Sequence, residues 1–141
     1  MRQFITAYFF VLFSVALFAI DNNEIDALNR KAESGLNQNP AQSLQMAEEA
    51  LQLASDNKYI AGQARATAIK GVAKFKVDDF AQASTLISKA LTLSELAKDS
   101  STLSFSIYWK ANLYINQGEY GMALDEFNKA LAISENINDL Q

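Results

Sequence analysis

The side chains able to do chemistry in this chain are few in kind. It has no cysteine and no histidine, so it lacks thiolates, disulfides and the commonest metal ligand and general base. A reaction would have to rest on carboxylates, lysine, tyrosine and serine. Carboxylates occur as neighbours in Glu48-Glu49, Asp78-Asp79 and Asp125-Glu126, without the spaced ligands of a calcium loop. No glycine-rich phosphate loop, nucleophile elbow or metal-ligand spacing occurs. The expectation is therefore no catalytic residue, no metal and no cofactor. What remains is recognition. Lys58, Arg65, Lys70, Lys74 and Lys76 lie in one stretch with no acidic residue between them. At helical spacing Lys58, Arg65 and Lys76 share a face with Val72, while Lys70 and Lys74 fall opposite. About forty residues on, the equivalent face carries Phe105, Tyr108, Asn112, Ile115 and Asn116. Together with Phe75, these basic, amide and aromatic groups suit a protein or peptide partner, in particular an acidic or carboxylate-ended segment. The same lysines also suit plain solvation of a surface helix.

The elements that position these residues follow from periodicity. One proline and five glycines leave few helix breaks in 141 residues, a length suited to one domain. Shifted by forty residues, the chain overlays itself. Gly71 meets Ala111, Phe80 meets Tyr120, Ala83 meets Ala123, and Lys89-Ala90-Leu91 meets Lys129-Ala130-Leu131. A weaker first copy carries Ala47, Ala50, Leu51 and Leu53 in the same register. Within each copy the apolar positions recur at three- and four-residue spacing, the stripe of a helix. Asn39-Pro40 reads as a cap and first turn, and Asp56-Asn57 and Asp99-Ser100 supply stop-and-cap chemistry. The pattern predicts helices over about 24–37, 41–55, 58–77, 79–97, 101–117 and 120–136. Paired, they make three hairpins at about 24–55, 58–97 and 101–137, crossing where Gly71 or Ala111 faces Ala83 or Ala123. One such hairpin cannot bury its apolar face alone, so each leans on the next.

The segment from Trp109 to Ile133 resembles a tetratricopeptide repeat. It has the small Ala111, then Tyr114, the Gly118-Glu119-Tyr120 turn, and Ala123, Phe127 and Ala130 in the second helix. The copy from Gly71 to Leu93 is similar, with Lys74 for the usual aromatic and Asp78 for the turn glycine. The first copy departs most, with Lys31 at the small position and Ser43 for the first alanine, and reads as a capping hairpin. The forty-residue period is similar to the longer repeats of MalT-like regions and of exported bacterial sensor proteins. The resemblance covers residues 24–141 and implies an all-α, right-handed solenoid of about three helical hairpins. It also implies a concave face built from the first helix of each pair, where peptides dock in similar proteins. On that face the expected binding residues are Arg65, Val72, Phe75, Lys76, Phe105, Tyr108, Asn112, Ile115 and Asn116. The implied setting is the extracytoplasmic part of a bacterial sensory or regulatory system; an assembly scaffold is the alternative role.

Both ends of the chain carry further expectations. Residues 1–19 open with Arg2 and continue in an uncharged apolar run from Phe4 to Ile20, which reads as a signal peptide or an N-terminal membrane anchor. Either implies an exported protein, periplasmic or extracytoplasmic, touching a membrane only through residues 1–20 if the leader is kept. The net charge of −4 becomes one unit more negative without Arg2 and disfavours nucleic acid. In the repeat register Gln141 falls just before a further first helix. The last hairpin is then expected to expose Leu124, Leu131 and the Tyr114 side, so that the chain either continues in a longer repeat protein or self-associates.

Overall fold

A computed structural model describes residues 20–138; the expected leader or anchor at 1–19 lies outside them. Six helices follow one another: α1 (Asn22–Ser34), α2 (Pro40–Asp56), α3 (Ile60–Lys76), α4 (Phe80–Ala97), α5 (Ser100–Asn116) and α6 (Tyr120–Asn138). They pair as three antiparallel hairpins. Each helix packs on the next in sequence, and α1 touches α3 as α3 touches α5. Among the described residues α2, α4 and α6 do not touch one another. The odd helices thus form the close-packed row and the even helices the splayed one, which curves the stack with the odd helices inside. No helix of the described residues is long and apolar enough to cross a membrane.

Small residues set the spacing. A Cβ added at Gly71 would lie 2.8 Å from Ile87 Cδ1, and Ala64, Ala68, Ala83 and Ala90 have no exposed surface. Backbones approach there, and Ile69, Val72, Ile87 and Leu113 fill the space beside the crossings. The helix ends follow a repeat twice as fine as the hairpin. Lys58, Asp78, Lys98 and Gly118 all have positive φ. The residue after each donates its N–H five residues back: Tyr59 to Ala54, Asp79 to Lys74, Asp99 to Ser94 and Glu119 to Tyr114, at 2.8–3.0 Å. This is the Schellman closure, satisfying carbonyls that a helix end leaves orphaned. Asp79 and Asp99 then cap the next helix, accepting from the N–H of Gln82 and Thr102. Four of the five turns, both within and between hairpins, are therefore the same turn, the exception being that between α1 and α2.

The expected helix boundaries agree to within three residues, with two informative shifts. Helix α1 stops at Ser34 rather than 37, because the longer turn from Gly35 to Asn39 lets Leu36 tuck into the core. Helix α3 starts at Ile60 rather than 58, because Lys58 is spent on the left-handed turn.

Candidate functional site

Two distinct faces meet on the odd helices. One is the stacking face, which each hairpin turns toward the next. Val72 lies on it in α3 and is fully buried, so it belongs to the core and cannot meet a ligand. One period on, Asn112 holds the same register position with nothing packed over it among the described residues, and is half-buried. Its Nδ2 donates to the carbonyl of Tyr108 at 2.8 Å. Tyr108 is likewise on the stacking face: its register equivalent Ala68 is sealed, whereas Tyr108 is 47% exposed and leans on Phe127. Phe105, Tyr108, Phe127, Ala130 and Leu131 line an open cleft of about 680 Å³ between α5 and α6. Leu124 and Leu131, expected to be open, are 61% and 56% exposed.

Phe75 is half-buried and packs edge-on against Phe80 and Trp109, each at 5.3 Å between ring centres. Trp109 continues the aromatic chain to Phe105 and Tyr108. Lys76 sets its ammonium 5.3 Å from the Trp109 ring centre, a cation–π contact. Ile115 and Asn116 are exposed near the end of α5, away from the groups that gather around Arg65. Of the nine expected residues, Arg65, Phe105, Tyr108, Phe75 and Lys76 are linked through the aromatic chain at Trp109, whereas Val72 lies in the core.

The second face runs across α1, α3 and α5 and holds a polar cleft of about 460 Å³. Its walls include Asp26, Asn29, Arg30 and Glu33 from α1, Tyr59 and Arg65 at α3, and Asp99 and Thr102 at α5. Arg65 ties the three helices together. Its Nε and Nη2 donate to Glu33 Oε2, and its guanidinium lies 4.3 Å from the Phe105 ring centre. Its Nη1 is buried without a partner. Asn29 is 1% exposed; its Nδ2 donates to the Gly62 carbonyl at 3.2 Å, and its Oδ1 has no partner. The Tyr59 hydroxyl donates to both carboxylate oxygens of Asp26 at 3.0 Å. Burial first, then the Asp26 hydrogen bond and the charges of Asp26 and Asp99, push the Tyr59 phenol up to about 12. Three carboxylates, Asp26, Glu33 and Asp99, face two guanidiniums, Arg30 and Arg65, in the cleft lining.

Of this cleft, sequence reasoning found only Arg65. Asp26, Asn29 and Tyr59 carry no local signal, being far apart in the chain and ordinary in type, and Asp99 signals only the cap of α5. The remaining basic side chains are partly engaged: Lys70 lies 3.7 Å from Glu48 and Lys74 3.9 Å from Asp79. Elsewhere, Glu126 is 8% exposed and held by Lys129 at 2.9 Å and Lys110 at 3.3 Å. Among the described residues no cluster of three or more His, Cys, Asp or Glu side chains is placed to hold a metal.

Residues 104–137 match the tetratricopeptide repeat family. The crystal structure of the TPR domain of Arabidopsis FLU superposes with a TM-score of 0.67 at 20% identity, covering 82% of this chain and 98% of that one. No curated protein matches the sequence. The fold is therefore the all-α helical-hairpin solenoid of tetratricopeptide domains.

Proposed function

We propose that the chain is a non-catalytic interaction module that holds a segment of a partner protein across α1, α3 and α5. Tetratricopeptide domains generally mediate protein–protein interaction. The observation supporting that role here is the polar cleft on the three inner helices, whose walls keep a buried acceptor on Asn29 and a buried donor on Arg65 unmatched. A buried polar atom without a partner costs about 1–3 kcal/mol, and a shift of either side chain toward the cleft would let a peptide N–H or carbonyl offset it. An acidic segment, suggested by Arg65 and Lys76, meets few free cations, since Arg65 is paired with Glu33 and Lys76 faces Trp109. Selection of a random peptide library on the full chain, followed by hydrogen-exchange mapping of the bound peptides, tests the role. Protection across α1, α3 and α5 is the expected footprint; protection confined to α2, α4 and α6 would overturn the reading.

A second reading has a specific observation behind it. The cleft between α5 and α6, lined by exposed Leu131 with exposed Leu124 two turns earlier on the same face of α6, suits assembly through the last hairpin, including self-association. Light scattering after size exclusion at several concentrations separates the two, because assembly rises with concentration and survives peptide saturation. A monomer at every concentration would remove it. The apolar run at 4–20 further motivates export, in the setting of an extracytoplasmic sensory system. Fractionation of cells expressing the full chain checks this, and a product confined to the cytosol would refute it.

A further inference from the structure

We infer that the cleft across α1, α3 and α5 is a socket for a guanidinium group, supplied by an arginine of the partner segment. The inference rests on the reading that a peptide lies on this face, and adds what that peptide must carry. Three carboxylates stand in the cleft wall, Asp26, Glu33 and Asp99, against two guanidiniums, Arg30 and Arg65. Glu33 is consumed by Arg65, which leaves Asp26 and Asp99 as the charges a ligand would meet. Neither faces a cation within ion-pair distance among the described residues. Their existing partners are neutral donors: the Tyr59 hydroxyl on Asp26, and the N–H and hydroxyl of Thr102 on Asp99. A carboxylate has about four acceptor positions, so both retain capacity for a charged donor.

Asn29 supplies the independent observation. It is almost wholly buried and lines the cleft, its amide nitrogen is committed to α3, and its Oδ1 has no partner. A fixed acceptor beside two carboxylates calls for a ligand with several donors and positive charge. A planar guanidinium, with five N–H donors in a fork, fits that demand better than an ammonium or a neutral amide. The phenol of Tyr59, held in its neutral donor form, braces Asp26. Arg30 is the built-in competitor: it is exposed, lines the same cleft, and makes no ion pair among the described residues.

The test uses the ¹⁵N-labelled full chain and three end-blocked tripeptides, Gly-Arg-Gly, Gly-citrulline-Gly and Gly-Glu-Gly. Citrulline keeps the shape of arginine without its charge. The arginyl peptide should shift the Asn29 side-chain amide and the backbone amides of Tyr59 and Thr102 saturably. The citrulline peptide should bind about tenfold more weakly or worse, and the glutamyl peptide should not bind there. Asp26→Asn and Asp99→Asn should each weaken arginyl binding several-fold; Asn still accepts from Tyr59 and still caps α5, so both variants keep the fold, checked by circular dichroism. Arg30→Ala should tighten binding, and added salt should loosen it. Equal binding of citrulline, preference for the glutamyl peptide, arginyl shifts confined to the cleft between α5 and α6, or no effect of the two Asn variants would each overturn the socket. In those cases library peptides that still protect the inner helices would leave the broader interaction role standing.

Discussion

Replacing Lys98 by glycine should stabilise this protein. Lys98 closes α4 with φ 54° and ψ 35°, a left-handed conformation in which Cβ crowds the following carbonyl. That crowding costs an L-residue about 1–2 kcal/mol. Glycine escapes it, but its looser unfolded chain takes back about 0.4–1 kcal/mol. The side chain itself contributes little, being exposed and in no ion pair among the described residues. The net gain is about 0.5–1 kcal/mol, a rise in Tm of roughly 2–5 °C for a domain of this size. The same turn at Gly118 provides the converse. With φ 80° and no atom within 4 Å of an added Cβ, Gly118→Ala should cost about 0.5–1 kcal/mol through backbone strain alone. Lys98→Ala is the control, since alanine keeps the Cβ, and should leave stability within about 0.3 kcal/mol. Urea unfolding followed by far-ultraviolet circular dichroism measures all three. If Lys98→Gly leaves the midpoint unchanged or lowers it while Gly118→Ala is silent, the repeated left-handed turn does not carry the stated strain.

Two further outcomes follow from burial and charge. Ala90→Leu should destabilise by ~1–3 kcal/mol through overpacking, because Ala90 is sealed between hairpins; Ala130→Leu should cost less, because Ala130 is 6% exposed and borders the open cleft. Equal urea midpoints for the two would contradict the difference between a covered and an uncovered hairpin. Burial works against the Glu126 carboxylate, but hydrogen bonds and charge from Lys129 and Lys110 outweigh it and hold its pKa below the ordinary 4.5. A carboxylate depressed in the folded state adds stability above its unfolded value and loses it as pH falls through the folded one. Glu126→Gln should therefore unfold earlier than the parent at pH 7, with the difference shrinking below pH 4.5; a difference independent of pH would refute the assignment.

Much of the architecture was legible because it is written in short-range spacing. The three- and four-residue stripes, the overlay of Gly71 on Ala111 and Ala83 on Ala123, and the caps at Asn39 and Asp99 each declare local geometry. Gly118 declares the left-handed turn by its type. Lys58, Asp78 and Lys98 adopt the same turn, with the same closing hydrogen bonds, without that signature. Their equivalence emerges only when the four turns are seen to be one.

The binding face was less legible, for a reason that periodicity cannot supply. Val72 and Asn112 occupy one position of the repeat, yet Val72 is sealed and Asn112 half-open. What differs is whether another hairpin packs over them. In the same way, Arg65 reads as a free cation in the sequence until α1 brings Glu33 against it and α5 lays Phe105 beneath it. Sequence by itself determined the helices, their pairing and the forty-residue register, since these depend on neighbours a few residues apart and on a pattern repeated along the chain. Tertiary structure alone decided which face stacks, which cations are spent, and that Asp26, Asn29, Tyr59 and Asp99 share one cleft. Burial and electrostatic pairing are set by neighbours in space, and three helices distant in the chain supply them.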